Sequence, residues 1–173
     1  MNRKTAFLIC STVLLSTNIS ILTRIYADDK QITHTNKIID GSEESLMNET
    51  IESTQPNHSV ICNQNGGTVT LDQNTLVKSG DSINTDGTNS IVYTTGSSFT
   101  KIDQSDLQST SKGSSGIVAN EKAMVYANDS TIMTSNDSSN SLEAVSSGQI
   151  IANQMDITTQ GNQSAAVNVK QND

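Results

Sequence analysis

Carboxylates are the side chains in this sequence with the widest choice of chemistry, and they recur at related positions. Asp72 and Asp103 each follow a short apolar stretch, and Asp106 and Asp156 form a second such pair. Stacked carboxylates can bind Ca²⁺ through their oxygens. The calcium-binding nonapeptide GGxGxDxUx is absent, however, because GGTVTLD lacks the third glycine. Aspartate also suits turns without any metal, so we predict no metal site and no cofactor.

Catalysis would need a second group opposite a carboxylate. Hydrolysis of a glycosidic bond requires two carboxyl groups that face each other, and Glu143 is the only acid expected on the outer side of its column of strands. Lyases that act on acidic sugars need a base, often Arg or Lys, and residues 28–173 contain no Arg while residues 59–173 contain no His. We therefore interpret Glu143 as one solvated charge, predict no catalytic residue and expect a protein that is not an enzyme.

Cys62 is the only cysteine in residues 28–173. An exported chain with one thiol has no internal disulfide, so its stability must come from packing. Ile61 and Asn63 are expected to point inward, which places Cys62 outward or at a rim. No His or second Cys accompanies it in sequence, and we assign it no reactive role.

The elements that must position these side chains are short strands in a repeat of about 25 residues, a period within the range of solenoid proteins. Shifting the sequence by 25 aligns three apolar columns, which are Val92, Ile117 and Leu142, then Ile102, Ala127 and Ala152, then Leu107, Ile132 and Ile157. One coil earlier the offset is 31, and the insertion responsible fits in GDSINTDGTN at 80–89. After Leu142 an offset of 23 aligns Ala165 and Val167 as the start of a further coil.

Apolar residues in each coil are spaced i, i+2, which puts them on one face of a strand. Small or polar residues fill the positions between the strands. We expect left-handed backbone directly after the second strand of each coil, where the residues are Asp72, Asp103, Asn128 and Asn153, because Asn and Asp tolerate that conformation.

Composition and columns together define the fold class. Hydrophobic residues make up 33% of the chain and charged residues only 16%, which disfavours a compact α/β enzyme and suits either a disordered polar chain or a turn-rich β-architecture. The apolar columns favour the turn-rich β-architecture. Stacked coils bury aliphatic side chains, and each burial stabilises the fold by about 1.5–3 kcal/mol. We predict an all-β fold, a parallel, right-handed β-helix of four to five coils over residues 59–173.

The segment before Asp28 differs from the rest of the chain. Arg3 and Lys4 precede the run AFLICSTVLLSTNISIL, and Ala27 offers a small residue for cleavage. This pattern predicts a secretory signal peptide at 1–27, and an uncleaved membrane anchor remains the alternative. Removal of the segment takes away three basic residues and changes the formal net charge from −8 to −11. Nucleic acid and anionic membranes are poor partners for such a chain.

Residues 28–58 are acidic and contain the only Pro and both His residues. They show no sustained periodicity, so we predict a flexible lead-in or an N-terminal cap. A short helix around residues 42–52 is a further expectation.

The pattern S-x-I/L-x-A, V/I-x-A-N, I-x-T in residues 115–134 and 140–159 resembles the β-helical passenger region of bacterial autotransporter-type adhesins. GGTVTLD at 66–72 adds to the likeness, which covers residues 59–173. The resemblance implies an exported stalk, associated with the bacterial outer membrane, whose outer face contacts host or neighbouring cells. Such families end in a translocating β-barrel, which nothing in the sequence matches, so we expect a fragment, a truncated product or another export route.

A second resemblance is local. QGNQSAAVNVKQND at 160–173 is similar to a curlin-type repeat, in which polar ladders build a surface amyloid. Three functions therefore stay open. The favoured one is a non-enzymatic, secreted or surface-displayed adhesin or structural stalk that binds a cell-surface glycan or protein. The alternatives are a carbohydrate-active or carbohydrate-binding β-helix and a subunit of a surface fibre, with self-association through the C-terminal coil.

Overall fold

The computed structural model describes residues 31–33, 36–84 and 86–171, and in these residues it contains strands and no helix. The predicted signal peptide at 1–27 lies outside the described residues. Accordingly, no helix that could span a membrane is found in the described part of the chain.

All strand pairs are parallel and belong to three sheets. Sheet A contains β1 (Gln31–Thr33), β4 (Glu49–Ser53), β7 (Thr75–Lys78), β10 (Asp106–Ser109), β13 (Thr131–Thr134) and β16 (Asp156–Thr159). Sheet B contains β2 (Lys37–Asp40), β5 (Ile61–Gln64), β8 (Val92–Thr94), β11 (Ile117–Ala119), β14 (Leu142–Val145) and β17 (Val167–Lys170). Sheet C contains β3 (Glu43–Met47), β6 (Thr68–Asp72), β9 (Phe99–Asp103), β12 (Met124–Asn128) and β15 (Gln149–Asn153).

Each coil contributes one strand to each sheet, so the fold is a β-solenoid of about five stacked coils, as the repeat predicted. The aligned columns are the true strand partners: Ile117 pairs with Val92 and Leu142, and Ile132 pairs with Leu107 and Ile157. The offset of 23 at the last coil was wrong. Leu142 pairs with Val167, because the common spacing of 25 continues there unchanged.

The solenoid begins earlier than the repeat analysis placed it. Residues 37–53 form β2, β3 and β4 of a complete first coil rather than a flexible lead-in, and the helix around 42–52 is absent because β3 and β4 occupy that segment. Leu46 stacks on Leu71 and Ile51 stacks on Leu76, and all four side chains are buried. The physical reason is alternation, since one apolar residue of each strand, namely Ile39, Leu46 and Ile51, points inward.

The core is an aliphatic column that contains a small cluster of buried polar side chains. Inward Ile, Leu, Val and Ala residues from the three sheets form one continuous cluster. Asn63, Thr94 and Thr100 are also inward and fully buried. The amide nitrogen of Asn63 donates to the Thr100 hydroxyl over 3.0 Å, and the hydroxyls of Thr94 and Thr100 lie 2.8 Å apart. These hydrogen bonds offset part of the cost of burying the three side chains, while Asn63 Oδ1 is buried without a partner.

The turn after the second strand has its left-handed residue one position later than expected. Positive φ angles occur at Asn48, Gln73, Gln104, Asp129 and Gln154. The Asp and Asn column predicted to adopt this conformation remains in the strands, where Asp103 pairs with Asn128 and Asn128 with Asn153. Their side chains form a ladder instead, because the Asn128 amide donates to Asp103 over 2.9 Å and the Asn153 amide donates to Asn128 over 2.6 Å.

A candidate ligand-binding cleft on sheet B

The outer face of sheet B differs chemically from the core it covers. In-register pairing makes one outward column of Ile38, Cys62, Tyr93, Val118, Glu143 and Asn168. A ladder of this kind repeats a position every coil, about 4.8 Å apart. The column combines a thiol, a phenol, a carboxylate and an amide, so it offers varied chemistry on an otherwise flat surface.

The one long coil builds a wall on this face. Leu76 pairs with Leu107 at an offset of 31 in sequence, whereas Leu107 pairs with Ile132 at the common offset of 25. The insertion responsible falls at 83–88, within the predicted segment. Gly87 lies against the outward side chains of sheet B: a Cβ atom there would approach Val118 Cγ1 to 2.9 Å and Tyr93 Cε2 to 3.5 Å. Val118 points outward and is nevertheless fully buried. We call the described part of this insertion on sheet B, residues 86–88, the cleft wall.

Both ends of the insertion are fixed to neighbouring coils. At its N-terminal end, the backbone N–H of Ser82 donates to the Lys112 carbonyl over 2.9 Å. At its C-terminal end, the Asn89 side chain accepts from the Asn57 N–H over 2.9 Å and donates to the Gly80 carbonyl over 3.0 Å. The Thr88 carbonyl accepts from the Ser59 hydroxyl over 2.7 Å. These hydrogen bonds hold the cleft wall in place.

Glu143 is the centre of the cleft, and the expectation of a solvated charge was wrong. Its side chain points outward from β14, yet the residue is only 2% exposed. One oxygen, Oε2, accepts from Ser115 Oγ over 2.7 Å and from Asn140 Nδ2 over 3.1 Å. The other, Oε1, pairs with Lys170 Nζ at 2.6 Å. Three donors compensate the loss of water around the carboxylate.

Two adjoining cavities surround this ion pair. One has a volume of about 360 Å³ and is lined by Gly87, Ser138, Gln163 and Asn168 among others. The second, of about 230 Å³, lies beside Asp86, Thr88, Tyr93 and Asn120. Glu143 and Lys170 line both. The larger volume reaches the lower limit of ordinary ligand pockets, about 300–1,000 Å³, so the cleft has room for one small ligand or one end of a larger one.

Cys62 occupies the outward position that its neighbours predicted. It lines a separate cavity of about 190 Å³ with His58 and Tyr93. Burial, with a smaller contribution from the nearby Asp40 carboxylate, raises the pKa of the Cys62 thiol. At neutral pH the thiol is therefore less often in its nucleophilic thiolate form than an ordinary cysteine, and the absence of a reactive role stays a prediction.

The acidic columns that suggested calcium have protein partners. Asp103 accepts from Asn128 and lies 3.5 Å from the Lys101 ammonium. Asp106 accepts from Thr131 over 2.6 Å and from Gln108 over 2.7 Å. Within residues 36–84 and 86–171, no group of three or more His, Cys, Asp or Glu side chains could hold a metal. Absence of a metal from the protein stays a prediction.

Buried Lys78 was not singled out by the sequence. It points inward from β7, where the equivalent residues are Ser53, Ser109, Thr134 and Thr159. Its ammonium donates to the carbonyls of Gln55 over 2.9 Å and Gly80 over 2.8 Å. Burial lowers the pKa of Lys78 to about 8, with Asp81 opposing that shift.

Sequence reasoning named Glu143 but missed the residues around it, namely Ser115, Asn140 and Lys170. The sequence signal for a site here was the insertion in the long coil, because its extra residues must leave the solenoid beside the outward column of sheet B. Comparisons with known proteins do not extend this picture: no protein-family model, no curated protein and no solved structure matches the chain.

Proposed function

We propose that this protein is a non-enzymatic, secreted or surface-displayed β-solenoid of the adhesin type, which binds a polar ligand on a host or neighbouring cell through the cleft. One observation carries the proposal: the only described insertion that breaks the common spacing between strands folds over sheet B and builds a wall beside an outward ion pair. Functional residues commonly lie on loops that a rigid scaffold holds in position. The apolar-run pattern of residues 1–27 supports export.

The geometry of Glu143 favours binding over catalysis. A glycosidase needs two carboxyl groups that face each other, whereas the group paired with Glu143 in the cleft is the ammonium of Lys170, at 2.6 Å. The other carboxylate beside the cleft, Asp86, accepts from the N–H and hydroxyl of Thr88 over 3.1 and 2.6 Å. We therefore assign both carboxylates to ligand binding.

A pair of glycine substitutions tests the proposal. We expect Gly87→Val to weaken binding to a panel of host and bacterial cells by about tenfold or more, because the new side chain would displace the cleft wall from Val118 and Tyr93. Gly66→Val is the matched control, since Gly66 has a similar positive φ but nothing within 4 Å of its Cβ position. Binding is measured by flow cytometry with labelled protein, and thermal melting reports the shared backbone strain.

The two variants should melt alike and bind differently. Equal binding by Gly87→Val and Gly66→Val would show that the cleft does not take part in cell contact, and the proposal would then be wrong.

A second proposal concerns self-association through the C-terminal coil. Val167 and Val169 of β17 are 62% and 77% exposed, and β15, β16 and β17 are each the outermost described strand of their sheet. Exposed strand edges with apolar side chains favour pairing with another chain. We therefore expect the polypeptide of residues 28–173 to self-associate through this coil, either as tail-to-tail dimers or as fibres.

Salt should promote this association because it screens the net negative charge. Analytical ultracentrifugation at low and high salt measures it, with the double variant Val167→Lys and Val169→Glu as the comparison. A wild-type polypeptide that stays monomeric at both salts would contradict the expectation, and growing fibres would favour the fibre-subunit alternative.

A further inference from the structure

We infer that the cleft recognises an uncharged saccharide, through two neighbouring hydroxyl groups that bridge the carboxylate of Glu143 and the ammonium of Lys170. The inference rests on the proposed function and deepens it by naming the class of ligand. It depends on three features of the described residues, which are the ion pair, the charge around it and the amide side chains that line the larger cavity.

The ion pair presents an acceptor directly beside a donor. Glu143 Oε1 and Lys170 Nζ lie 2.6 Å apart, and Oε1 accepts from no other described side chain. Lys170 has a side chain that is 41% exposed and three N–H donors, only some of which the carboxylate can use. Adjacent hydroxyl groups of a sugar ring carry matching functions, because one can donate to the carboxylate oxygen while the other accepts from the ammonium.

Charge disfavours ionic ligands. An anion that reached Lys170 would meet the carboxylate of Glu143 at the same place, and Asp86 lines the neighbouring cavity. The chain as a whole is strongly acidic, with a formal net charge of −8, which repels anions at longer range. A cation would have to displace the Lys170 ammonium from a 2.6 Å contact. A neutral ligand with many hydroxyl groups faces neither cost.

The remaining lining suits the same chemistry. Asn168 stands next to Glu143 in the outward column, and Asn168, Gln163 and Ser138 line the larger cavity. Amide and hydroxyl groups both donate and accept, as hydroxyl groups of sugars do. On the other side of Glu143, the Tyr93 hydroxyl is fixed by the Asn120 amide over 3.0 Å, which leaves an aromatic surface at the cavity edge.

The experiment measures binding of the full chain to a glycan panel with three arms, which are neutral, acidic and amino-substituted oligosaccharides. We expect binding in the neutral arm, little change between low and high salt, and a loss of about tenfold in Asn168→Ala, the order expected when one neutral hydrogen-bonding group is removed. Asn162→Ala is the matched control, because Asn162 is an exposed asparagine of the same coil outside both cavity linings.

The results distinguish failure of the ligand class from failure of the proposed function. Preference for acidic glycans with steep salt dependence would overturn the neutral class, as would equal binding by Asn168→Ala and Asn162→Ala. Failure to bind any glycan, together with cell binding that Gly87→Val abolishes, would overturn the saccharide and leave the proposed function in place. Failure of both would overturn both.

Discussion

Ile132→Asp should remove a large part of the protein's stability at room temperature. Ile132 is 1% exposed and stacks between Leu107 and Ile157, so the new carboxylate would lie unpaired in an aliphatic column. Burial of an unpaired charge is one of the few single changes that cost more than about 4 kcal/mol, against a total stability of about 5–15 kcal/mol for an ordinary domain. Urea unfolding followed by circular dichroism measures the loss.

Met133→Asp is the control, since it changes the next residue of the same strand. Met133 points to the outer face of β13 and is 37% exposed, so its carboxylate stays in water and should cost less than about 1 kcal/mol. Similar loss in both variants would mean that β13 is not alternating between core and solvent, and the strand pairing described here would be incorrect.

The apolar columns were predictable because parallel, in-register stacking repeats the same requirement in every coil. Ile117 and Leu142 face the same interior at the same height in successive turns, so a constant offset in sequence becomes a contact in space. The first coil escaped that analysis because its strands carry a single inward apolar residue among several acids. Leu46 and Leu71 do nevertheless lie at the common spacing.

The surroundings of Glu143 could not be predicted in the same way. Alternation within β14 correctly places its side chain outward, but whether an outward group meets water depends on residues far away in sequence. Gly87, two coils earlier, closes over the neighbouring Val118, and Lys170 arrives from the next coil. The path of an insertion follows from which hydrogen bonds fix its ends, and periodicity carries no information about that.

Lys78 shows a different limit of prediction from sequence. Its place in the strand points inward, whereas a lysine side chain normally lies in solvent. The equivalent residues in the other coils carry hydroxyl groups, as Thr134 does. At this position the ammonium of Lys78 reaches the carbonyls of Gln55 and Gly80. The buried lysine therefore connects the turn after β7 to the turn after β4 in the preceding coil.

The same residue makes the stability depend on pH in an unusual direction. The pKa of Lys78 is about 8 in the folded protein against 10.5 for an ordinary lysine, so between these values the unfolded chain binds a proton that the folded chain has released. Stability must then rise with pH across that window and be lowest below pH 8, where both states are protonated and the charge is buried. One pKa unit corresponds to about 1.4 kcal/mol. Allowing for screening by water around the loop, we expect a gain of about 2 kcal/mol.

Urea unfolding from pH 7 to pH 10.5 measures this gain, and two variants isolate it from the titration of other groups. Lys78→Thr restores the hydroxyl found in the other coils and should remove the rise, so that its stability exceeds that of the wild type most at pH 7 and least at pH 10.5. Lys101→Thr removes a lysine whose side chain is 43% exposed on the outer face of β9 and should keep the wild-type slope. Parallel pH profiles for wild type and Lys78→Thr would show that the ammonium of Lys78 is not held in a low-dielectric site, because only a shifted pKa in the folded state makes the two curves converge.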